Sequence, residues 1–325
     1  MAAILVTGAA GVVGSHVVRQ LLAGGHTVVG ADALPDPGPM LRGVEGLVYR
    51  RLDVRDLALV LDVLRETPPD RVIHLAALVG EWYNRHPLGN HETNVGGTLN
   101  VLEACRLSGV GRLVLASTWS LYPDFHGTPH GHPDYLPVPE TTPADPVRPY
   151  ELAKYACERY ALWYRQMYGL EIAALRFGGY YAAERRFQRE ARGAGPVNDM
   201  LAAVAAGRAY RLDAGGDQGM DLVHVKDCAA GCVAAALAPS VPSGIYNIGT
   251  GEVSTLFQAA AILRELEPDA DLTIGPGFLP AKHLCRLDLS RARTELGYAP
   301  RFSLRDGLAD CLEALRAYER QSHSA

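Results

Sequence analysis

Short apolar runs alternate with stretches of helical periodicity through the first half of the chain. Residues 4–14, with the sequence ILVTGAAGVVG, bring an apolar run up to three glycines and predict a strand, a tight turn and the start of a helix. Apolar residues recur at helical spacing through residues 12–22, a pair of glycines ends the helix, and residues 27–31 predict a second strand. The chain therefore opens with a predicted strand–helix–strand unit.

The same alternation continues through the first half and somewhat beyond it. Further strands are predicted at residues 46–51, 71–76, 112–117 and 172–176, and helices at residues 57–65, 91–107 and from the stretch 146–154 onward. The Pro- and Gly-rich residues 34–46 predict a loop, and the elements after residue 177 are shorter and mixed. Strands that alternate with helices predict an α/β fold with a parallel sheet.

The composition of the whole chain is that of an ordinary globular protein. With 325 residues, 48% of them hydrophobic, the chain is long enough for one elaborated α/β unit or for two closely joined domains. A formal charge of -5 and a pI near 6.1 argue against a dedicated nucleic-acid binder, because neutralising phosphates needs a concentrated basic face.

Cysteine usage and the length of the apolar runs bear on the compartment. The six cysteines form no CxxC pair and the chain starts without an export-signal pattern, so we expect a cytoplasmic protein with reduced thiols. No apolar run is long enough to span a bilayer, so no membrane partner is expected. Cys228 and Cys232 lie four apart on a predicted helix, and we expect buried apolar side chains there and not metal ligands.

The three glycines near the start predict a site for a dinucleotide. Glycine lets the backbone turn sharply and approach a ligand closely, and the free N–H groups of the following helix attract phosphate. Asp32 closes the second strand, where a carboxylate accepts hydrogen bonds from ribose hydroxyls and repels the extra phosphate of NADP. NAD is therefore the predicted cofactor, and its contacts in this turn are predicted to be Gly8, Gly11, Val12, Val13, Gly14 and Asp32.

Later strand ends supply further candidate cofactor contacts. Asp53 and Val54 are placed to receive the adenine, although Asp53 is equally suited to cap the next helix. His74 is predicted to be a hydrogen-bonded part of the scaffold, and the Asn94 amide is expected to tie neighbouring strands together. The remaining predicted cofactor contacts lie near the ends of the strands at 71–76 and 112–117 and on the helix at 91–107, and are Leu75, Ala76, Ala77, Asn94 and Ser117.

Tyr150 and Lys154 are the predicted chemical centre. They lie four residues apart at the start of a predicted helix and therefore share a face. A tyrosine with a pKa near 10 needs a nearby cation to act as a base at neutral pH, and Lys154 is placed to be that cation and to hold the nicotinamide ribose. Tyr150 is then expected to remove a substrate hydroxyl proton as hydride leaves for NAD, with Thr118 holding that hydroxyl.

With these motifs in place, the chain resembles the extended short-chain dehydrogenase/reductase family, in its group of NAD-dependent sugar epimerases and dehydratases. The resemblance extends nearly from end to end. It rests on TGAAGVVG (7–14), Asp32, LDV (52–54), HLAA (74–77), Asn94, ST (117–118), YELAK (150–154), RFGGYY (176–181), DLVHVKD (221–227), YNIGTG (246–251) and LDLSRARTELGYAP (287–300).

The resemblance implies an architecture and partners. It implies an NAD-binding domain at residues 1–177 with a doubly wound, seven-stranded parallel (Rossmann) sheet, and a smaller mixed substrate-binding domain at residues 178–325. Residues 220–240 are expected to pack back against the first domain. The implied substrate is a sugar or nucleotide sugar, and the implied assembly is a homodimer joined through the helices near 91–107 and 149–168.

The chain departs from the family pattern at positions that concern the substrate. Trp119 and Ser120 stand where dehydratases usually have Asp and Glu, which leaves epimerisation or simple oxidation. Gly179 replaces the Asn, and Met220 the Arg, with which nucleotide-sugar epimerases usually help to hold a diphosphate. Another cation could hold the substrate anion instead. The arginines near residue 185 could equally alternate with Glu184 and Glu190 on a solvated helix face. The candidate cations are Arg185, Arg186, Arg189, Arg192 and Arg211.

The leading hypothesis is an epimerase that oxidises a sugar hydroxyl to a ketone, turns the intermediate and returns hydride to its other face. The alternative is an NAD-dependent dehydrogenase of a non-nucleotide sugar, sugar acid or polyol, and a third hypothesis is a non-catalytic dinucleotide-binding protein. The loop at 125–135 carries His126, His130 and His132, and we expect a lid over the substrate there and not a metal site.

Overall fold

Thirteen strands are found in the computed structural model, which describes residues 1–80, 84–187, 195–279, 282 and 285–323. The strands are β1 (Ala3–Thr7), β2 (Thr27–Asp32), β3 (Val48–Arg51), β4 (Arg71–His74), β5 (Arg112–Thr118), β6 (Glu171–Phe177), β7 (Gly179–Tyr181), β8 (Tyr210–Leu212), β9 (Gly219–Met220), β10 (Leu222–His224), β11 (Ile245–Ile248), β12 (Ser254–Thr255) and β13 (Leu272–Ile274).

Helices connect most of these strands. They are α1 (Val12–Ala23), α2 (Gly38–Leu41), α3 (Leu57–Glu66), α4 (Pro87–Asn90), α5 (Gly97–Leu107), α6 (Pro149–Tyr168), α7 (Pro196–Ala205), α8 (Val225–Leu237), α9 (Leu256–Leu266), α10 (Ser290–Leu296) and α11 (Leu304–His323). A π-helical turn at His91–Gly96 joins α4 to α5, and short 3-10 turns lie at Trp119–Leu121 and Ala183–Phe187. Within the described ranges, no helix has both the length and the apolar character of a membrane span.

Seven strands pair in parallel in the order β11-β6-β5-β4-β1-β2-β3. Alternate residues of β1 enter different apolar clusters. Ile4 and Val6 pack with residues of α1 and α8, whereas Leu5 packs with residues of α3, α5 and α6. Burial on both faces explains why the strands read as continuous apolar runs and not as alternating ones. This confirms the predicted α/β class and the doubly wound parallel sheet.

Two segments of the second half of the chain return to the central sheet. Helix α8 packs beside α1, and the Gln20 amide donates to the carbonyl of Lys226 (2.9 Å). Strand β11 extends the sheet beyond β6. The other short strands form two-stranded sheets that pair β7 with β10, β9 with β12 and β8 with β13. The division of the chain at residue 177 stays a prediction.

Several predicted elements have different bounds in the structure. The stretch predicted as a loop at 34–46 contains the short helix α2, and the strand predicted at 71–76 ends at His74. The helix predicted over 91–107 starts with the π-helical turn. Within that turn the carbonyl of Asn94 accepts hydrogen bonds from the Thr98 hydroxyl (2.6 Å) and the Cys157 thiol (3.1 Å). These side chains compete for a carbonyl that a regular helix would use internally.

Candidate active site

The glycine turn between β1 and α1 is required by close approaches of the backbone to itself. Gly8 has a positive φ of 69°, and a Cβ there would lie 2.6 Å from the amide nitrogen of Ala76. A Cβ on Gly14 would lie 2.1 Å from the carbonyl oxygen of Gly8. That carbonyl also accepts a hydrogen bond from the amide of Gly11 (3.0 Å). Residues larger than glycine would displace main chain at both positions.

The start of α1 has the properties of an anion site. Gly11 is the N-cap residue with an extended backbone, and none of the described side chains caps the helix. The first-turn amides of Val12 and Val13 therefore carry the partial positive charge of the helix terminus without a side-chain acceptor. A glycine cradle followed by an uncapped helix start fits the pyrophosphate of a dinucleotide.

Asp32 lies at the end of β2, next to the glycine turn. Its carboxylate accepts hydrogen bonds from the amides of Ala10 (3.1 Å) and Leu34 (3.3 Å). Burial raises the pKa of Asp32, and these backbone donors act in the opposite direction. The backbone thus holds the carboxylate beside the turn, where it is suited to accept hydrogen bonds from a ribose.

Asp53 does not cap the next helix. Helix α3 is capped by Asp56, which accepts a hydrogen bond from the Leu59 amide (3.1 Å), so the capping interpretation of Asp53 is wrong. Asp53 instead forms an ion pair with Arg55 (2.6 Å), which holds the pKa of Asp53 below its usual value. Val54 is buried against Gly97. Adenine contacts by Asp53 and Val54 stay predictions.

The end of β4 is held by hydrogen bonds to buried groups. The His74 ring lies 2.6 Å from the Thr7 hydroxyl and 3.1 Å from the Thr98 hydroxyl, so His74 is part of the scaffold, as predicted. Burial, with the Lys154 charge in addition, lowers the pKa of His74 to about 3. Backbone atoms of Leu75 and Ala76 lie directly against the Gly8 turn; contacts of Leu75, Ala76 and Ala77 with NAD stay predictions.

The Asn94 and Ser117 side chains bind protein groups. The Asn94 amide accepts a hydrogen bond from the Leu78 amide (2.7 Å) and donates to the Leu78 carbonyl (2.9 Å), so it anchors the segment after β4 and does not bridge two strands as predicted. The Ser117 hydroxyl donates to Glu158 (2.5 Å), and Glu158 forms a buried ion pair with Arg176 (2.8 Å). These bonds fix the carboxyl end of β5.

Tyr150, Lys154 and Thr118 come together at that end of β5. Tyr150 lies in the first turn of α6, half-buried, and Lys154 is one turn later with 4% of its surface exposed. The Lys154 ammonium donates to the Ala116 carbonyl (2.9 Å) and lies 6.0 Å from the centroid of the Tyr150 ring. The hydroxyl of Thr118 forms a hydrogen bond with the Ser120 hydroxyl (3.0 Å) and is close enough to the Tyr150 phenol to lower the pKa of Tyr150. The predicted catalytic constellation is therefore assembled in space.

A second cation, besides the predicted Lys154, acts on the pKa of Tyr150. Burial raises this pKa above its ordinary value, and the neighbouring Tyr180 adds to that rise. The charge of Arg185 and the hydroxyl of Thr118 act in the opposite direction and lower it. Burial also lowers the pKa of Lys154 itself. Lys154 as the cation that assists Tyr150 stays a prediction. The sequence could not reveal this role of Arg185, because it is 35 residues away along the chain.

Arg185 lies close enough to Tyr150 for its charge to lower the pKa of that phenol, and its predicted contact with the substrate stays a prediction. Its guanidinium stacks on the Tyr180 ring, 4.3 Å from the centroid, and its buried Nε has no hydrogen-bond partner among the described residues. The neighbouring Glu184 is buried and pairs with His16 (3.2 Å), so the solvated-face interpretation is wrong for this part of the stretch. Arg211 forms an exposed ion pair with Asp271. Arg189 and Arg192, like the side chain of Arg186, lie outside the described residues.

Gly179 and Met220 contribute no polar side chain to the site. A Cβ on Gly179 would lie 3.1 Å from the indole of Trp119. Met220 is buried with 7% of its surface exposed, and its strand β9 pairs with β12. Contacts of Gly179 and Met220 with the substrate stay predictions.

The histidine-rich loop packs through its rings. His132 contacts Tyr135 (6.0 Å between ring centroids) and Phe278 (5.4 Å), and the Tyr135 hydroxyl accepts a hydrogen bond from the Gly219 amide (3.1 Å). His130 lies 2.9 Å from the Leu136 carbonyl. Among the described residues, His, Cys, Asp and Glu form no group of three that would hold a metal. The lid over the substrate stays a prediction.

Comparison with known proteins identifies the family of this site. The model of the NAD dependent epimerase/dehydratase family matches residues 4–249. The chain belongs to this family. It is 33% identical over 318 residues to a UDP-glucose 4-epimerase of Mycolicibacterium smegmatis, covering 96% of this chain and 98% of that protein. NAD is accordingly its cofactor, and the family membership confirms the expected NAD-dependent epimerase-type enzyme.

Solved structures of the epimerase family share the whole fold. The UDP-glucose 4-epimerase of Thermotoga maritima, solved with UDP-glucose, has a TM-score of 0.85 and 28% identity, with 98% of this chain and 99% of that chain covered. The UDP-glucose 4-epimerase of Thermus thermophilus, solved with NAD, has a TM-score of 0.81 and 31% identity, with 97% and 99% covered.

Two side chains that support the epimerase-family site escaped the sequence analysis. The Lys282 ammonium donates to the carbonyls of Ser120 (3.2 Å) and Asp145 (2.7 Å) and to the carboxylate of Glu151 (3.2 Å). Asn84 accepts a hydrogen bond from the Tyr150 amide (3.2 Å). Each is a single polar residue in a segment without a periodic pattern, so the sequence did not indicate its role at the site.

Proposed function

We propose that this protein interconverts two epimers of a sugar linked to a nucleoside diphosphate and retains NAD through the catalytic cycle. The observation that carries the proposal is the assembly of Tyr150, Lys154 and Thr118 beside an uncapped helix start. It is supported by nearly full-length similarity to UDP-glucose 4-epimerases. The natural first substrate to test is therefore UDP-glucose.

Thr118 and Tyr150 have different roles at the substrate hydroxyl. Thr118 holds this hydroxyl by a hydrogen bond, and Tyr150 takes its proton when the carbon is oxidised and returns it when the carbon is reduced. When bound, NAD supplies a reversible hydride acceptor. The Lys154 ammonium, held by the Ala116 carbonyl, is placed to bind the nicotinamide ribose.

Arg185 is the residue that we assign to the anionic part of the substrate. Its buried Nε has no acceptor within the part of the chain that the structure describes, and its guanidinium is oriented by stacking on Tyr180. A guanidinium in this state gains a charge-assisted hydrogen bond when a phosphate oxygen reaches it. Gly179 and Met220 offer no such donor from their side chains.

A second function, dehydrogenation of a sugar or polyol without a nucleotide, is favoured by the nature of Gly179 and Met220. Neither side chain can form a charge-assisted bond to a diphosphate, and Arg185 alone would equally suit a single carboxylate. The two functions differ in how they treat NAD. An epimerase regenerates its oxidised cofactor in each cycle, whereas a dehydrogenase must exchange it.

The decisive measurement is the NAD content of the purified protein after denaturation. Release of about one NAD per chain, together with interconversion of UDP-glucose and its epimer, is expected. An empty site that reduces added NAD in the presence of a free sugar would replace epimerisation with the dehydrogenase function. Absence of turnover with every sugar tested, with NAD bound, would favour a non-catalytic dinucleotide-binding protein.

The catalytic assignment has its own test in Tyr150→Phe. Removing the phenol oxygen is expected to lower kcat by at least about 1,000-fold, because it removes the group assigned to move the proton, while NAD stays bound. Tyr160→Phe on the exposed face of the same helix is the matched control and is expected to keep wild-type activity. Retained activity in Tyr150→Phe would remove Tyr150 from the mechanism.

We also propose a homodimer formed through α6. This helix exposes an apolar and aromatic face in which Leu152, Trp163 and Met167 each expose about half of their surface. Burial of such a face against a second copy would remove it from water. Sedimentation velocity of the intact protein distinguishes a dimer from a monomer. All six buried cysteines are free thiols, and we propose that the protein acts in the reducing cytoplasm.

A further inference from the structure

The indole of Trp119 lies against Gly179, where two departures from the family pattern meet. Trp119 directly follows Thr118 and is buried, with 9% of its surface exposed. A Cβ on Gly179 would lie 3.1 Å from Cζ2 and 3.5 Å from Cη2 of that indole. The benzo ring of Trp119 thus fills the volume into which a side chain at position 179 would extend.

Gly179 is required by a side chain and not by its own backbone. Its φ lies outside the positive range that favours glycine, so another residue can adopt its conformation. Gly178, immediately before it, differs in this respect. A Cβ on Gly178 would meet the carbonyl oxygen of Asp221 at 3.0 Å, which no exchange of a side chain can relieve.

The contact borders the reacting centre on both sides. Trp119 directly follows Thr118, whose hydroxyl acts on the pKa of Tyr150. Gly179 directly precedes Tyr180, and the guanidinium of Arg185 stacks on the Tyr180 ring. The contact therefore joins the segment of the catalytic hydroxyls to the segment of the cation assigned to the anionic part of the substrate.

We propose that Trp119 and Gly179 act as one specificity determinant. The indole replaces a polar side chain at position 179 by an apolar surface, so the enzyme forms no side-chain hydrogen bond to its substrate there and selects a substrate group that presents C–H surface. Substitution of Trp119 alone or of Gly179 alone then impairs substrate selection. Substitution of both, with a polar residue at position 179, creates a polar site. This inference rests on the proposed nucleotide-sugar function.

A double-mutant cycle tests the coupling through stability. In the presence of Trp119, Gly179→Asn is expected to lower the apparent Tm by about 2–6 °C. In the background of Trp119→Phe, whose single ring is smaller than the indole, the same substitution is expected to lower it by less than about 1 °C. Trp119→Leu serves as a second background should Trp119→Phe fold poorly. Gly178→Ala is the control, and its effect on Tm is expected to be equal in both backgrounds.

The same variants test specificity through UDP-glucose. Relative to Trp119→Phe, the double variant Trp119→Phe/Gly179→Asn is expected to have an approximately 2- to 10-fold lower KM, as one new hydrogen bond provides. Gly179→Asn alone is expected to lose at least about 10-fold in kcat/KM. The proposal would be overturned if Gly179→Asn lowered the Tm equally in both backgrounds. It would also be overturned if the Tm losses differed but the KM for UDP-glucose stayed unchanged. If the wild type neither binds nor converts UDP-glucose, the proposed function fails, and the Tm cycle still decides whether the pair is coupled.

Discussion

The glycine turn at the cofactor and the glycine at the substrate are required by different kinds of neighbour. Gly14 lies against the main-chain carbonyl of Gly8, whereas Gly179 lies against the indole of Trp119. Backbone atoms are common to every sequence with this fold, but an indole can be exchanged. The glycine turn is therefore constrained by the path of the chain, whereas the space at Gly179, the proposed substrate contact, is limited by a side chain that can change together with it.

The strongest test of this difference is Gly14→Ala. A Cβ would lie 2.1 Å from the Gly8 carbonyl, so the turn must open, and we expect loss of bound NAD with a destabilisation of at least about 3 kcal/mol. Absorbance of released NAD and thermal unfolding measure both effects. Gly89→Ala is the control, because a Cβ there meets open space. NAD binding restored by a second side-chain substitution would show that the turn is not fixed by backbone.

The next largest effect is expected for Arg185→Met on the substrate side. Loss of the charge-assisted bond is expected to raise KM for UDP-glucose by about 10- to 100-fold and to leave the NAD content unchanged. Because Arg185 lowers the pKa of Tyr150, removal of Arg185 should also move the pH at which kcat increases to a higher value. Arg211→Met removes an exposed arginine and is the control. A reduced NAD content in Arg185→Met would place this arginine at the cofactor instead.

A smaller, pH-dependent effect is expected at Asp32. Its folded-state pKa is raised by burial, so its carboxylate is protonated at a higher pH than that of an exposed aspartate. The acid form accepts ribose hydrogen bonds less well, so NAD affinity should be full near neutral pH and fall as pH decreases through this raised pKa. Titrations with NAD between about pH 4 and pH 7 measure it. Asp32→Asn should bind NAD more weakly, and its NAD affinity should not depend on pH. If the affinity of this variant still fell with decreasing pH, Asp32 would not be the cause of the pH dependence.

The smallest effect is expected for Asp53→Asn. In the structure this carboxylate pairs with Arg55 at the surface, an interaction that contributes about 0.2–1 kcal/mol. NAD affinity should therefore change by less than about twofold, as measured by equilibrium titration. A tenfold loss would show that Asp53 leaves Arg55 to bind the adenine.

The sequence was sufficient for the parts of the site that depend on local geometry. Three glycines before a helix, and a tyrosine four residues before a lysine, define backbone and face without knowledge of distant residues. The role of Arg185 was not accessible in this way, because its charge acts on Tyr150 only after β7 and the following turn bring it near. Gly179 and Trp119 were each visible as departures, but their contact needed the pairing of distant segments.

Lys282 ties the second half of the chain to the catalytic helix. Its ammonium is shared by main-chain carbonyls that follow β5 and by Glu151 in the first turn of α6. Withdrawal of this one side chain would leave a buried carboxylate without its cation and several carbonyls without a donor. Breaking the contacts of Lys282 therefore costs free energy both after β5 and at the start of α6, so the position of this lysine and the order of the catalytic helix are thermodynamically linked.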